Sequence, residues 1–290
     1  MSLFLLNNGG NVNEQTDNIK SLKEKGIFTQ LWTPQKKARG GIVLIHGLGE
    51  YCGRYKNSLG AYYTDKGFII QTFDLPGHGR SSGKRGHVSN YQDFIDIISA
   101  SISHINNNYP DIPIFLYGHS LGGLIALDYV YTNPTDLKGF IGSAPVLDVF
   151  QPIKPIKKFL AKALRQLLPS FTMESDLAVE KLSKDQSVVD QYIKDPLVHP
   201  MTSSNLAMYI IERGDQIRKM AEKPSIPGLI MVGAEEGIVS KKAIVDFCDE
   251  SHFCELKIWE NLYHELHNEP EKEQVLAFVD SWMSKIIKGE

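Results

Sequence analysis

The sequence predicts an α/β fold in which a mostly parallel central sheet carries helices on both faces. Short apolar runs of strand length alternate with longer stretches whose apolar residues have helical spacing. Such alternation is typical of βαβ units, whose strands run parallel because each connection crosses the sheet. With 290 residues, 42% of them hydrophobic, the chain can bury a substantial core without disulfides.

The candidate elements follow one another along the chain. The predicted strands are 27–32, 42–45, 68–73, 114–117, 137–142, 228–232 and 255–259. The predicted helices are 54–66, 91–108, 121–131, 241–248 and 271–287. Helix 91–108 illustrates the signal, because Phe94, Ile98 and Ile102 fall on one helical face.

Two segments interrupt the alternation. Residues 1–20 are polar and rich in Asn, and we expect them to be loosely ordered. Residues 21–290 are expected to form a single domain. Within it, residues 146–203 hold several prolines and two helical patterns with no strand between them. This segment is predicted to be a helical cap or lid inserted between two parts of the sheet.

Charge and cysteine content narrow the class of protein. Lys and Arg number 31 against 34 Asp and Glu, a net charge of −3 without a long basic run, so no nucleic-acid partner is expected. Three cysteines, Cys52, Cys248 and Cys254, form no disulfide framework and favour a reducing compartment. No stretch approaches the roughly 18 apolar residues of a membrane span. We expect a cytoplasmic protein, and the sequence leaves its oligomeric state open.

The motif with the clearest chemical meaning is G-H-S-L-G-G at residues 118–123. It follows a predicted strand and opens a predicted helix, the context of the G-x-S-x-G nucleophile elbow. The serine of such an elbow sits on a strained turn, and its small neighbours let strand and helix approach closely. The helix N terminus then directs its N–H groups at the group under attack. Ser120 is the predicted nucleophile of an α/β-hydrolase.

A serine hydroxyl needs a base, and in this fold the histidine comes last in the chain, after the acid. His264 is the predicted base because it lies in the loop after the last predicted strand. The other histidines after Ser120 are His199, His252 and His267.

The acid and the oxyanion hole are placed by the same reasoning. Glu236 follows strand 228–232 and is the predicted acid, with its neighbour Glu235 as the alternative. The oxyanion hole needs two backbone N–H groups. We assign them to Leu48, in the loop after strand 42–45, and to Leu121 in the elbow.

Together these motifs resemble the monoacylglycerol lipase and lysophospholipase branch of the α/β-hydrolases, the serine aminopeptidase S33-like hydrolases. The resemblance extends from about residue 26 to the C terminus. It is carried by residues 46–50 with 53–55, Asp74 with 77–79 and Ser81, the elbow, residues 195–197, and Tyr263 with His264.

The resemblance implies hydrolysis of a monoacyl ester through an acyl-serine intermediate, beneath a mobile cap and without cofactor or metal. The polar residues that match those around the glycerol end of the family's substrate are Glu50, Arg54, His119 and Tyr192. Glu236 departs from the family pattern, which usually has Asp there. The loop must therefore accommodate one extra methylene.

Residues 156–168 predict a basic amphipathic helix within the insertion. Its basic residues are Lys157, Lys158, Lys162 and Arg165. Such a helix can lie on an anionic bilayer as a peripheral contact. The alternative is a cap helix that packs its apolar face on the cleft and leaves its basic face in solvent.

Three functions remain open at this point. The first is hydrolysis of monoacylglycerols or lysophospholipids, and the second is a peptidase or general carboxylesterase with the same triad. A peptidase would need a polar pocket for a terminal amine, whereas the insertion supplies Phe159, Leu160, Leu164 and Leu168. The third is a ligand-binding protein with low turnover, which only the glutamate at position 236 favours.

Overall fold

The computed structural model describes residues 12–133, 137–150, 155–220, 224, 226–251 and 254–290. Ten strands lie within these ranges, eight in a central sheet and two in a small separate one. In chain order they are β1 Asn13–Thr16, β2 Thr29–Thr33, β3 Gly40–Ile45, β4 Phe68–Phe73, β5 Ile114–His119, β6 Leu137–Ser143, β7 Thr172–Glu174, β8 Met201–Ser203, β9 Gly228–Gly233 and β10 Cys254–Trp259.

The central sheet has the order β1-β2-β4-β3-β5-β6-β9-β10. Strand β2 pairs antiparallel with β1 and β4, and the remaining pairs are parallel. The predicted mostly parallel sheet is therefore confirmed. In such a sheet the carboxyl ends of the parallel strands share one edge, where ligands bind.

Helices cover both faces of the sheet. In chain order they are α1 Lys20–Glu24, α2 Ala61–Asp65, α3 Gln92–Asn108, α4 Leu121–Thr132, α5 Pro155–Leu167, α6 Gln186–Lys194, α7 Ser204–Arg218, α8 Lys241–Ser251 and α9 Lys272–Lys288. The core on one face includes residues of α3, α4 and α8, and the core on the other includes residues of α2 and α9. Strand β5 contributes side chains to both cores, because Leu116 faces the first core and Phe115 faces the second.

The N-terminal expectation needs a correction. Asn13–Thr16, within the segment expected to be loosely ordered, forms edge strand β1 and pairs with β2 in regular register. Residues 1–11 lie outside the described residues. This strand has no apolar alternation that would predict it, because it is polar and all four of its residues are exposed.

A second correction concerns the predicted helix 54–66. The chain there forms a 3₁₀ turn (Cys52–Tyr55), a π turn (Lys56–Gly60) and then α2. Gly60 packs so closely on Trp32 that a Cβ at position 60 would approach the indole to 2.9 Å.

The segment 146–203 contains α5, α6 and, between them, β7, which pairs antiparallel with β8. The expectation of no strand between the two helices was therefore wrong, since a three-residue strand carries too little periodicity to register in the sequence. Residues 151–154 lie outside the described residues. Helix α7 follows directly, capped by the Ser203 side chain, which accepts from the Leu206 N–H at 3.2 Å. Among the described helices, none has both the length and the apolar character required to span a bilayer.

Candidate active site

Ser120 occupies the turn between β5 and α4 with φ +53° and ψ −114°. This left-handed conformation is strained for a residue with a side chain and is typical of functional positions. The close packing of strand and helix enforces it. A Cβ on Gly118 would lie 2.2 Å from the Gly122 carbonyl oxygen, and one on Gly122 would lie 2.2 Å from the Ile45 carbonyl oxygen. The glycines of the motif are therefore steric requirements.

The His264 imidazole contacts one carboxylate directly. Its Nδ1 lies 2.8 Å from Oε2 of Glu236. The second oxygen of Glu236, Oε1, accepts from the N–H groups of Ile238 at 2.8 Å and Val239 at 3.2 Å. The alternative acid, Glu235, has an exposed side chain. The geometry thus favours Glu236 over Glu235.

The ionisation of this pair follows from its surroundings. Burial alone would lower the pKa of His264, but the charge and hydrogen bond of Glu236, together with the charges of Glu265 and Glu50, outweigh burial and raise that pKa above its usual value. Burial acts on Glu236 in the opposite sense, and the charge and hydrogen bond of His264 lower the pKa of Glu236. Each partner stabilises the charged form of the other.

The loop that carries His264 is joined to the insertion by its backbone. The His264 N–H donates to the Lys181 carbonyl at 3.2 Å, and the Glu265 N–H donates to the Leu182 carbonyl at 2.7 Å. The position of the imidazole therefore depends on the segment of the insertion around residue 182.

Glu269, whose side chain is buried, reinforces the same junction. Its Oε1 accepts from the Tyr263 N–H at 2.6 Å. Its Oε2 accepts from the Lys184 N–H at 3.0 Å and from the Ser183 hydroxyl at 3.2 Å. One carboxylate thus ties the residue before His264 to two residues of the insertion.

Ser120 and His264 line a common cavity of about 520 Å³, together with Leu48 and Leu121. A second, apolar cavity of about 550 Å³ lies beneath α5, where Ala161 and Leu164 line it. The two cavities share the lining residues Leu48, Val149, Ser175 and Ile210. An apolar compartment therefore adjoins the cavity that Ser120 lines.

The lining of the first cavity around Glu50 is polar, and we call this region the polar end. Glu50, which is buried, accepts with Oε1 from the Gly47 N–H at 2.7 Å and from the Tyr55 hydroxyl at 2.6 Å. Its Oε2 forms an ion pair with Arg54. The Arg54 guanidinium lies 4.7 Å from the centre of the Tyr192 ring, in the range of a cation–π contact.

Two buried histidines stand beside this polar end. The His119 ring centre lies 4.7 Å from that of His264 and 5.0 Å from that of His267. The His267 ring stacks on Tyr55 at 4.4 Å. Burial is the main cause that lowers the pKa of His267 to about 4 and the pKa of His119 well below its usual value. Both rings are therefore neutral at physiological pH.

The structure gathers most of the predicted residues around one cavity. Those that line it are Ser120, His264, Leu48, Leu121, Glu50, His119 and Tyr192. Glu236 and Arg54 lie behind that lining, in contact with His264 and Glu50 respectively.

The sequence reasoning missed Glu265, which lines the cavity and pairs with Arg54. Its position directly after the predicted base was the available signal. Of the competing histidines, His199 lies in the insertion and His252 lies outside the described residues.

Sheet order, strained elbow and histidine–carboxylate pair together define an α/β-hydrolase. The family model described as serine aminopeptidase, S33 matches residues 36–271, and the chain belongs to this family.

Relatives and a solved structure agree with that placement. The chain is 31% identical to the monoacylglycerol lipase of Mycolicibacterium smegmatis, over 89% of this chain and 92% of the relative. It is 31% identical to phospholipase YtpA of Bacillus subtilis, over 83% of this chain and 95% of the relative. The crystal structure of Paleococcus ferrophilus monoacylglycerol lipase matches with a TM-score of 0.81 and 30% identity, over 91% of this chain and 99% of that one. The predicted resemblance is confirmed, and the chain is a carboxylic ester hydrolase.

Proposed function

We propose that this enzyme hydrolyses monoacylglycerols, with Ser120 as nucleophile, His264 as general base and Glu236 as the acid that orients the imidazole. The observation on which the proposal rests is the shared cavity. Ser120 and His264 line it together with the residues of the polar end, and an apolar compartment adjoins it. A monoacylglycerol has the same division, with a polyol on one side of its ester and a single acyl chain on the other.

The reaction follows from the hydrogen bond between Glu236 and His264. With Nδ1–H donated to Glu236, Nε2 is the nitrogen that accepts the Ser120 proton as Oγ attacks the ester carbonyl carbon. The N–H groups of Leu48 and Leu121 stabilise the oxyanion of the tetrahedral intermediate. His264 then protonates the leaving glycerol oxygen, and the acyl group stays on Ser120.

The second half of the reaction reverses these roles. His264 removes a proton from a water molecule, whose oxygen attacks the acyl-serine carbonyl carbon. The new tetrahedral intermediate uses the same N–H groups. When it collapses, the proton returns from His264 to Ser120 Oγ and the fatty acid leaves. In each half of the reaction His264 accepts one proton and then donates it, first to the leaving glycerol oxygen and in the second half to Ser120 Oγ.

The segment 146–203 serves as the cap over this site in a single-domain enzyme. The described residues with large exposed apolar side chains all fall between positions 150 and 193: Phe150, Ile156, Phe159, Leu167, Leu168, Phe171, Met173 and Ile193. Soluble surfaces rarely expose apolar groups in such concentration, and interfacial contact is their usual purpose. We propose that this face touches the lipid surface from which the substrate comes.

Two of the four basic residues of α5 form ion pairs within the protein. Lys158 and Arg165 form ion pairs with Asp215 and Glu212 of α7. They hold α5 on the body of the protein, so the contact with lipid falls to the apolar side chains and to the exposed Lys162.

A peptidase is the second candidate, and one observation favours it. The charged residues that line the cavity are acidic, namely Glu50, Asp176 and Glu265, so a terminal ammonium group would be attracted. The neighbouring apolar compartment fits an acyl chain better than a peptide. Hydrolysis of aminoacyl-naphthylamides, compared with that of monoacylglycerols, separates the two.

The test of the proposal is hydrolysis of a series of monoacylglycerols by the wild type and by Ser120→Ala. We expect release of fatty acid by the wild type and no release above background by the variant. A fluorophosphonate probe should label the wild type and leave Ser120→Ala unlabelled. Equal inactivity of both proteins towards every ester, with no labelling of the wild type, would reject Ser120 as an activated nucleophile.

A further inference from the structure

The active-site cavity is acidic. The described residues that line it include the three carboxylates Glu50, Asp176 and Glu265, and no Lys or Arg is among them. Glu50 and Glu265 are 2% and 1% exposed, so water screens their charges poorly. An anionic group that entered this space would meet like charge, and no Lys or Arg among the described lining residues would receive it.

Arg54 contacts both buried carboxylates at the polar end of the cavity, and its charge is compensated twice. Its Nη1 and Nη2 donate to the two oxygens of Glu265 at 2.7 and 2.9 Å, as a bidentate pair. Its Nη1 also contacts Glu50. With Arg54 at +1 and two carboxylates at −1 each, the cluster carries a net charge of −1.

Glu265 remains ionised in this setting. Burial opposes ionisation, but the charge of Arg54 and its hydrogen bonds lower the pKa of Glu265 to about 2. The carboxylate accepts a further hydrogen bond from Asn268 Nδ2 at 2.7 Å. Three donors therefore fix Glu265 in place, and its charge is a permanent feature of the site.

We infer that Glu265 sets the head-group specificity of the enzyme, because it occupies the guanidinium donors of Arg54 and leaves the polar end of the cavity with excess negative charge. This inference rests on the proposed function. Phosphate recognition in proteins depends on Arg or Lys donors that are free to contact the phosphate oxygens. Here those donors are committed to carboxylates, so a phosphate-bearing head group is rejected, whereas the hydroxyl groups of a glycerol can donate to the carboxylate oxygens.

The same excess charge acts on the products. Hydrolysis converts a neutral ester into a neutral alcohol and a fatty acid that ionises at physiological pH. The new carboxylate forms in the cavity that Glu50 and Glu265 line, and their charges repel it. Glu265 therefore opposes accumulation of the fatty acid in the site.

The test compares two substrates that share a lauroyl chain esterified to glycerol and differ by an anionic phosphoglycerol group: monolauroylglycerol and lauroyl-lysophosphatidylglycerol. For the wild type we expect kcat/KM to be at least about tenfold higher for the neutral substrate, because unpaired like charge at a binding site is strongly unfavourable. In Glu265→Gln, Arg54 retains one carboxylate partner. The preference should then shift by about tenfold or more towards the phosphate-bearing substrate.

Asp176→Asn is the matched control. It removes one carboxylate from the lining of the same cavity, but Asp176 is exposed and water screens its charge, so the preference should change less than about threefold. Equal shifts in the two variants, or no shift in Glu265→Gln, would overturn the assignment to Glu265.

Binding to Ser120→Ala separates this inference from the proposed function. Calorimetry with the two lipids measures head-group preference without turnover, and it needs no variant at position 265. Tighter binding of the neutral lipid supports the inference, whether or not the wild type hydrolyses either substrate. Absence of hydrolysis by the wild type would reject the proposed activity and leave the inference about head-group preference intact. Equal or tighter binding of the phosphate-bearing lipid overturns it, whether or not Glu265→Gln folds.

Discussion

The carboxylate of Glu236 lies 2.8 Å from Nδ1 of His264. The Glu236 side chain is one methylene longer than the aspartate that is usual in this family, yet its carboxylate still contacts the imidazole. The extra length is absorbed because the other oxygen, Oε1, is held by the N–H groups of Ile238 and Val239. The loop after β9 thus fixes the Glu236 carboxylate through Oε1, while Oε2 faces the imidazole of His264.

The first prediction concerns that carboxylate. Glu236→Gln keeps the size of the side chain but removes its charge and favours the wrong imidazole tautomer, so we expect kcat to fall by about 10⁴-fold. Glu236→Asp should be more active than Glu236→Gln and less active than the wild type. It keeps the charge, but the shortened side chain cannot reach His264 and the loop N–H groups at the same time. Glu235→Gln, at an exposed position, should behave like the wild type. Comparable losses in Glu235→Gln and Glu236→Gln would contradict the assignment.

The pH dependence of the reaction provides a second prediction. His264 must be neutral to accept the Ser120 proton, and Glu236 raises the pKa of His264. Activity should therefore be full above that raised pKa and lost as the pH falls through it, with a midpoint above the usual histidine value of about 6.5. Glu236→Gln removes the main stabilising charge and should move this acid limb to lower pH. The measurement is kcat/KM as a function of pH for both proteins, and a midpoint that moves up in the variant would refute the role of Glu236.

The third prediction concerns Glu269, which joins the His264 loop to Ser183 and Lys184 of the insertion. Glu269→Gln replaces one of the two acceptor oxygens with an amide NH₂ group, which cannot accept a hydrogen bond. One buried donor then loses its partner, at a cost of about 1–3 kcal/mol. We expect lower kcat/KM and faster amide hydrogen exchange around residues 181–184.

The control for Glu269 is Glu271→Gln, which removes an ion pair with Lys184 at the surface. Such pairs contribute about 0–1 kcal/mol, so exchange around residue 184 should change little. If Glu269→Gln leaves exchange and kcat/KM at wild-type values, the junction does not position His264.

The fourth prediction tests the apolar face of α5. The double variant Phe159→Asp with Leu167→Asp places two charges where the wild type exposes two large apolar side chains. We expect weaker sedimentation with phospholipid vesicles and slower hydrolysis of vesicle-borne monoacylglycerol, with little change towards a water-soluble short-chain ester. Gln166→Asp adds charge to the same helix at an exposed position without removing apolar surface, and it should bind vesicles nearly as well as the wild type. Equal sedimentation of all three proteins would argue against a lipid contact at α5.

The fifth prediction follows from two thiols. The Sγ atoms of Cys248, on α8, and Cys254, at the start of β10, lie 3.3 Å apart, although the sequence suggested no disulfide. Peroxide oxidises one thiol to a sulfenic acid, and the other can then displace water to form a disulfide. We expect peptide mass mapping after mild oxidation to find a 248–254 link, with Cys52, which is fully buried, still a thiol. A link that includes Cys52, or three titratable thiols after oxidation, would contradict this.

Much of the fold could be read from the sequence because its signals are local. The apolar runs of β3, β4, β5 and β9 are buried on both faces, and buried strands of this kind differ in composition from their flanking turns. The elbow was equally legible, since its glycines are required by contacts within a few residues and with the neighbouring strand. Ser120, His264 and Glu236 were then ordered by their positions after successive strands.

What only the tertiary structure decided depends on residues that are far apart in the chain. Arg54 and Glu265 are separated by 211 positions, and their pairing, which commits the donors of Arg54 to a carboxylate, has no local signature. The same holds for β7 with β8, for edge strand β1, and for which apolar side chains of α5 face outward. Periodicity encodes how a segment folds on itself. Contacts between segments are set by the packing of the whole chain, and the charge and shape of the active site arise there.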